Sequence, residues 1–264
     1  MKNLLAATFL LFSVSCASSI VAPVDQNRPS RLLSGTVPGE RQPAAKAAQP
    51  RPAPAEQPNV KPGVPSKSPT ELQLDEMYAK APAAKAEIDA LADSIAKETS
   101  GRVAKVPLKQ RDRALEKAIK DYRDDASKVK DIARNTIVVD WNQYDKAVTL
   151  LKEQGGKVKT IDGTSDLMGY SGTNAVIKTK AGLPAEIQVN TPEMIYAKES
   201  PANGRAILGE KKYAELAAKT GVPGGRGYQL YEEWRALPPG DPRRDQLGAE
   251  SRAYYDQVRQ AGGR

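Results

Sequence analysis

Proline confines the foldable part of this 264-residue chain. Eleven of its 20 prolines fall between residues 18 and 70, in a stretch that includes QPAAKAAQPRPAPAEQPNVKPGVP and holds few large apolar side chains. Such a segment buries too little surface to offset the entropy of ordering it, and proline favours extended backbone. The remainder is long enough for one domain with a core of its own. The expected organisation is a leader at residues 1–17, a disordered Pro/Ala-rich linker at 18–69 and one domain at 70–264.

The leader opens with Lys2, followed by an apolar run from Leu4 to Val14. That run is too short to cross a bilayer comfortably and suits an export signal. Cys16, the single cysteine, follows it in LFSVSCASS. Two readings stand: acylation of Cys16 and anchorage to the bacterial envelope membrane, or cleavage after Ala17 and release as a periplasmic or secreted protein. With one cysteine, no disulfide forms within the chain. The formal charge of +8 is uneven, since seven Lys/Arg against three Asp/Glu lie between residues 18 and 70. The basicity is therefore largely the linker's, and DNA is not an expected partner. The chain has no histidine. That excludes Ser-His-Asp and Cys-His catalysis and histidine-bound zinc, and leaves carboxylates and substrate phosphates to hold a hard ion such as Mg2+.

In the folded part, Thr70-Glu71-Leu72-Gln73 reads as a capping box. Apolar residues at helical spacing follow as far as Ile95, with Pro82 expected to kink or split the helix and Gly101 to end it. After Pro107 a second helix reaches about Tyr122, crowded with Lys109, Arg111, Arg113, Lys117 and Lys120 near its start. Cations oppose the helix dipole there. On spacing alone the better reading is a solvated face interleaved with Asp112, Glu116 and Asp121. Residues 135–139 form a strand, Asp140 to Gln154 a helix stopped by Gly155-Gly156, and residues 157–161 a second strand. After a glycine-bearing loop, residues 173–179 and 185–190 form a hairpin around Ala181-Gly182. In its second strand Ile187 and Val189 face one side, Glu186 and Gln188 the other. Helical pieces follow near 192–198, 209–219, 227–236 and 246–260. This order predicts an α/β (α+β) domain, a mixed sheet of four to five strands flanked by helices and covered mainly on one face.

The order of these motifs resembles the RelA/SpoT-type nucleotide pyrophosphokinase domain, over about Pro107 to Glu199. Lys109 to Lys117 is similar to that family's donor-ATP segment, and Asp131 to its metal-binding aspartate. Gly169-Tyr170 resembles the loop whose tyrosine stacks on the acceptor base, and Glu186-Ile187-Gln188 the strand carrying the second catalytic acid.

The resemblance implies a nucleotidyltransferase-like fold and transfer of pyrophosphate from ATP to the 3′-hydroxyl of a purine nucleotide, as in guanosine tetraphosphate metabolism. It makes Asp131 and Glu186 the catalytic and Mg2+-binding pair. It makes Lys109, Arg113, Lys117, Tyr170, Gln188 and Asn174 nucleotide contacts. Where the family reads Gly-Tyr-Arg-Ser-x-His, this chain has Ser171 in place of the arginine and Asn174 in place of the histidine; a later arginine is Asn190. These departures open the acceptor to an adenosine nucleotide or an RNA 3′ end. With no hydrolase partner domain in the sequence, the chain resembles the small synthetase-only or toxin-like members. The competing readings are a catalytically inactive, envelope-anchored nucleotide-binding module and a structural lipoprotein. Taken singly, Asp131 reads better as a helix or turn cap, Glu186 as a surface strand residue and Tyr170 as a packed loop aromatic; taken together they favour the functional reading.

Overall fold

The computed structural model describes residues 67–263. The leader, Cys16 and the expected linker up to residue 66 lie outside the described residues. The domain opens two residues earlier than its expected cap. Ser68, not Thr70, is the N-cap of α1 (Pro69–Glu98): its side chain accepts from the Glu71 amide while the Glu71 carboxylate accepts from the Ser68 amide. Pro69 at the first helical position lacks an amide that would in any case have no helical partner. The helix passes through Pro82 as one element. Its buried stripe, Leu74, Met77, Ala81, Ala84, Ile88, Ala92 and Ile95, steps by three and four residues. The alanines keep that face thin against the sheet.

The sheet has five strands: β1 (Arg102–Lys105), β2 (Arg134–Val138), β3 (Lys157–Ile161), β4 (Gly172–Lys178) and β5 (Pro184–Asn190). Their spatial order is β1-β2-β5-β4-β3. Only β2 and β5 run parallel; the other neighbours are antiparallel. The mixed sheet, the β4–β5 hairpin and its tight turn match expectation, with Gly182 at φ 78°. The Glu87 carboxylate of α1 ties the turn down, accepting from the amides of Lys180 and Ala181 at 2.7 and 2.9 Å.

Between β1 and β2 lies α2 (Arg111–Tyr122), and between β2 and β3 lies α3 (Trp141–Glu153). On one face of the sheet, Ile137, Ala175, Ala185, Ile187 and Val189 join the buried side chains of α1 and α3 in the main core. Fully buried Asn135 also faces α1, where its amide nitrogen donates to Asp89 at 2.5 Å and its oxygen accepts from Lys85 at 2.9 Å. The chain closes with α4 (Pro192–Lys198), α5 (Pro201–Leu208), α6 (Glu210–Thr220), α7 (Arg226–Ala236) and α8 (Arg243–Ala261). These helices cover one end of the opposite face, packing around Val138 in one cluster and around Ile161 and Tyr170 in another.

Candidate active site

Register places a polar row on the face away from α1. Arg134 sits beside Glu186 and Thr136 beside Gln188 across the parallel pair. Gln188 is opposite Asn174, and Asn174 opposite Lys159, across the antiparallel ones. Side chains in register on adjacent strands share a face. Glu186, Gln188 and Asn174 therefore lie together, and for Glu186 and Gln188 the alternation with Ile187 and Val189 predicts this face.

Asp131 lies in the segment before β2 that leads into this floor. The Glu186 amide donates to the Ala133 carbonyl at 3.0 Å, only two residues after Asp131. Chain reach then keeps the two α-carbons within about 12 Å. Both carboxylates act on the phenol of half-buried Tyr122, where burial is the larger influence and raises it. The two expected acids thus approach the same end of the β2–β5 pair.

The basic run divides. Lys109 Nζ lies 3.1 Å from Asp131 Oδ2 and Lys117 Nζ 3.0 Å from Asp131 Oδ1, with the Asp131 side chain 2% exposed. The Lys109 backbone amide also donates to the Ile132 carbonyl, at 2.9 Å. Burial would raise the Asp131 carboxyl, but Lys117, Lys109 and Arg134 outweigh it and lower it to about 2. Burial lowers the Lys109 ammonium despite the opposing charge of Asp131, and the like charges of Lys117 and Arg134 add to the lowering. Arg113 does not join this cluster. It projects into solvent and pairs with Glu116, as Lys120 does. One side of α2 is therefore the expected solvated face, and the other carries a cation into the site.

Tyr170 is also placed differently from the open ring expected of a stacking contact. Its phenol donates to Asn190 Oδ1 at 2.6 Å, and its ring meets Tyr255 edge-on at 6.1 Å. Only 8% of the residue is exposed, since the loop before β4 is clamped by α8. Ser251 Oγ donates to the Met168 carbonyl at 2.6 Å, and Arg259 Nη1 to the Gly169 carbonyl at 2.5 Å. Ser171, at the position of the family arginine, is buried with its hydroxyl 3.3 Å from Met194 Sδ. It brings no charge to a phosphate. Asn174 Oδ1 and Asn190 Nδ2 are buried without a hydrogen-bond partner.

One residue on this face had escaped sequence reasoning. Lys198, the last residue of α4, is 5% exposed and donates to Gln188 Oε1 at 3.1 Å. The signal was a lone cation closing the otherwise apolar turn MIYAK.

For a divalent ion, the available donors are oxygens, as the absence of histidine requires. Among the described residues no three acidic, cysteine or histidine side chains converge. Asp131 and Glu186 suit an ion such as Mg2+ that takes one or two carboxylates and completes its shell with phosphate oxygens and water. Both Asp131 oxygens are engaged by lysines.

No protein-family model matches the chain. The (p)ppApp synthetase toxin Tas1 of Pseudomonas aeruginosa (strain UCBPP-PA14) is 53% identical over 190 residues, which make up 72% of this chain and 43% of that protein. The chain thus spans under half the length of that relative. The crystal structure of the complex between the Type VI effector Tas1 and its immunity protein contains a chain 51% identical to this one, at a TM-score of 0.68. The match covers 74% of this chain and all of that one. Small alarmone synthetase 2 from Bacillus subtilis matches at 15% identity and a TM-score of 0.44, over 72% of this chain and 93% of that one. At that distance it carries nothing about function.

The Tas1 match corrects the envelope-anchored, periplasmic or secreted location expected from the leader. The relative is a Type VI effector that forms a complex with an immunity protein. An apolar run followed by a cysteine is a compositional signal and does not distinguish routes of delivery, so neither the lipid anchor at Cys16 nor the membrane partner stands. The relative is a nucleotide synthetase, in keeping with the motifs, but it is named for (p)ppApp rather than guanosine tetraphosphate. With 51% identity in a match that covers the whole of that solved chain, this chain belongs to the family of the Type VI effector Tas1.

Proposed function

We propose that this chain is a toxin domain that transfers pyrophosphate from ATP to the 3′-hydroxyl of an adenosine nucleotide. The observation that carries this reading is that Asp131, paired with Lys109 and Lys117, lies two residues before Ala133, whose carbonyl accepts from the Glu186 amide. The name of the 53% identical relative supports adenosine over guanosine as the acceptor.

The acceptor 3′-oxygen attacks the β-phosphorus of ATP and forms the new P–O bond. The bond between the β-phosphorus and the bridging oxygen to the α-phosphate breaks, and its electron pair leaves with AMP. The 3′-hydroxyl proton passes to the Glu186 carboxylate. Lys109 and Lys117 exchange Asp131 for the anionic triphosphate and hold it in line. Asp131, released by that exchange, and Glu186 would hold Mg2+, which would offset charge on the phosphate oxygens. Gln188 orients Glu186, and Asn174 lines the acceptor side. Tyr170 reaches the acceptor base only if the loop clamped by α8 shifts; Arg113 contributes at most at long range. An immunity protein is the proposed macromolecular partner.

The test is incubation of the full chain with ATP, Mg2+ and a panel of nucleoside 5′-phosphates. The expected products are AMP and 3′-pyrophosphorylated adenosine nucleotides. A folded chain that pyrophosphorylates nothing on the panel overturns the enzyme; a preference for guanosine acceptors overturns the acceptor class.

A further inference from the structure

Lys198 joins two site residues, Gln188 and Tyr170, to its own neighbour Glu199. Its Nζ lies 3.1 Å from Gln188 Oε1, 3.2 Å from Glu199 Oε1 and 5.8 Å from the centroid of the Tyr170 ring. Gln188 Nε2 in turn donates to Glu186 Oε1 at 2.8 Å. The lysine side chain is 6% exposed, and Gln188 is likewise 6% exposed. Desolvating an ammonium group to this degree is unfavourable unless its acceptors are fixed. α4 supplies that fixity. Thr191 caps it directly after β5, and its apolar residues Met194, Ile195 and Tyr196 are buried. The helix therefore returns Lys198 over the strand that carries Gln188.

The polarity of the network follows from the donor inventory. An ammonium group only donates. Gln188 must therefore turn its oxygen toward Lys198, and its NH2 then faces Glu186. The flipped amide would set nitrogen against ammonium and oxygen against carboxylate. Lys198 and Glu186 thus hold the amide in one sense from its two ends.

We propose that Lys198 is a positioning residue for pyrophosphate transfer. It fixes the Gln188 amide so that one Glu186 oxygen is held and the other is presented to the acceptor hydroxyl. This rests on the reading of Glu186 as the group that receives the hydroxyl proton.

The test is steady-state kinetics of the full chain carrying Lys198→Met, Lys198→Arg, Gln188→Leu or the Met/Leu pair, each checked for folding by thermal unfolding. Loss of an orienting partner of a catalytic carboxylate lowers turnover about tenfold to a hundredfold. Lys198→Met is expected to lose kcat by that factor with KM for ATP unchanged within about twofold. Lys198→Arg, still donor-only, recovers most of it. The double variant is no slower than the slower single one, because both break one path. Full kcat in folded Lys198→Met, a parallel change in KM, or multiplicative effects in the pair overturn the proposal. If the Met variant does not fold, folded Gln188→Leu breaks the same path, and retention of full kcat there overturns it equally. Glu186→Gln separates the two levels. Full turnover in that variant removes the role of Glu186 itself; no turnover there, with full turnover in Lys198→Met, removes only the role of Lys198.

Discussion

Lys117 Nζ lies 3.0 Å from Asp131 Oδ1, with 11% and 2% of the two side chains exposed, and Lys109 holds the other carboxylate oxygen. One carboxylate thus bridges two buried cations. Asp131→Asn would leave Lys109 and Lys117 side by side without their counter-charge. Breaking a buried pair from one side destabilises by about 3 to 5 kcal/mol. Urea unfolding of Asp131→Asn at neutral pH should show a loss of this order, together with loss of pyrophosphate transfer. A variant as stable as the parent would mean that the cluster relaxes into water.

The same pair sets a response to acid. Asp131 is lowered to about 2 in the folded chain, from about 4 in an unfolded one. A carboxyl with a depressed folded value stabilises fully above its unfolded value, and the contribution disappears as pH falls through the folded value. The parent should therefore lose roughly 2 kcal/mol from this group between about pH 4 and pH 2. Unfolding free energies measured along that window for the parent and for Asp131→Asn should converge as pH falls. Parallel curves would rule out Asp131 as the source of the slope.

Glu186 differs from Asp131 in what surrounds it. It is half-buried on the polar face and accepts from a neutral amide, Gln188 Nε2, at 2.8 Å. Glu186→Gln leaves no buried ammonium stranded. It should change stability by less than about 1 kcal/mol, while turnover falls by about a thousandfold or more, in the range of lost acid–base catalysis. Calorimetry beside a transfer assay separates the two. A loss of stability matching the loss of activity would assign Glu186 a structural part.

How much of this was legible in the sequence depended on whether local pattern decided the outcome. β5 was legible because Glu186 and Gln188 alternate with Ile187 and Val189, and a period of two fixes both the strand and its polar face. α4 was legible between Pro192 and Lys198 from its bounds alone. β1 was not, because four residues, Arg102–Lys105, form an edge strand only by pairing with β2. α5 was missed because Asn203-Gly204 reads as a turn, whereas Gly204 is buried where an added Cβ would come within 2.8 Å of the Tyr213 ring. In the basic run, spacing favoured solvated charge, and this held for Arg113 and Lys120. Lys109 and Lys117 differ because the segment before β2 brings Asp131 between them, a contact across 14 residues or more that no local pattern encodes.

Gly172 tests the placement of Tyr170. A Cβ built on Gly172 would lie 2.2 Å from the Tyr170 hydroxyl oxygen and 3.1 Å from Asn190 Oδ1. The missing side chain is therefore what lets the phenol reach Asn190. Gly172→Ala must push Tyr170 out of its contact with Tyr255, and overpacking of this kind destabilises by about 1 to 3 kcal/mol. Tyr170→Phe keeps the ring and its edge-on contact and removes only the hydrogen bond to Asn190, a loss of about 1 kcal/mol. Denaturant unfolding should rank Gly172→Ala below Tyr170→Phe, with a changed near-ultraviolet tyrosine signal in the alanine variant alone. Adding Tyr170→Phe to Gly172→Ala should then recover part of the stability, because the Cβ clashes first with the hydroxyl that the phenylalanine lacks. If the double variant is no more stable than Gly172→Ala, the hydroxyl is not what occupies the space beside Gly172.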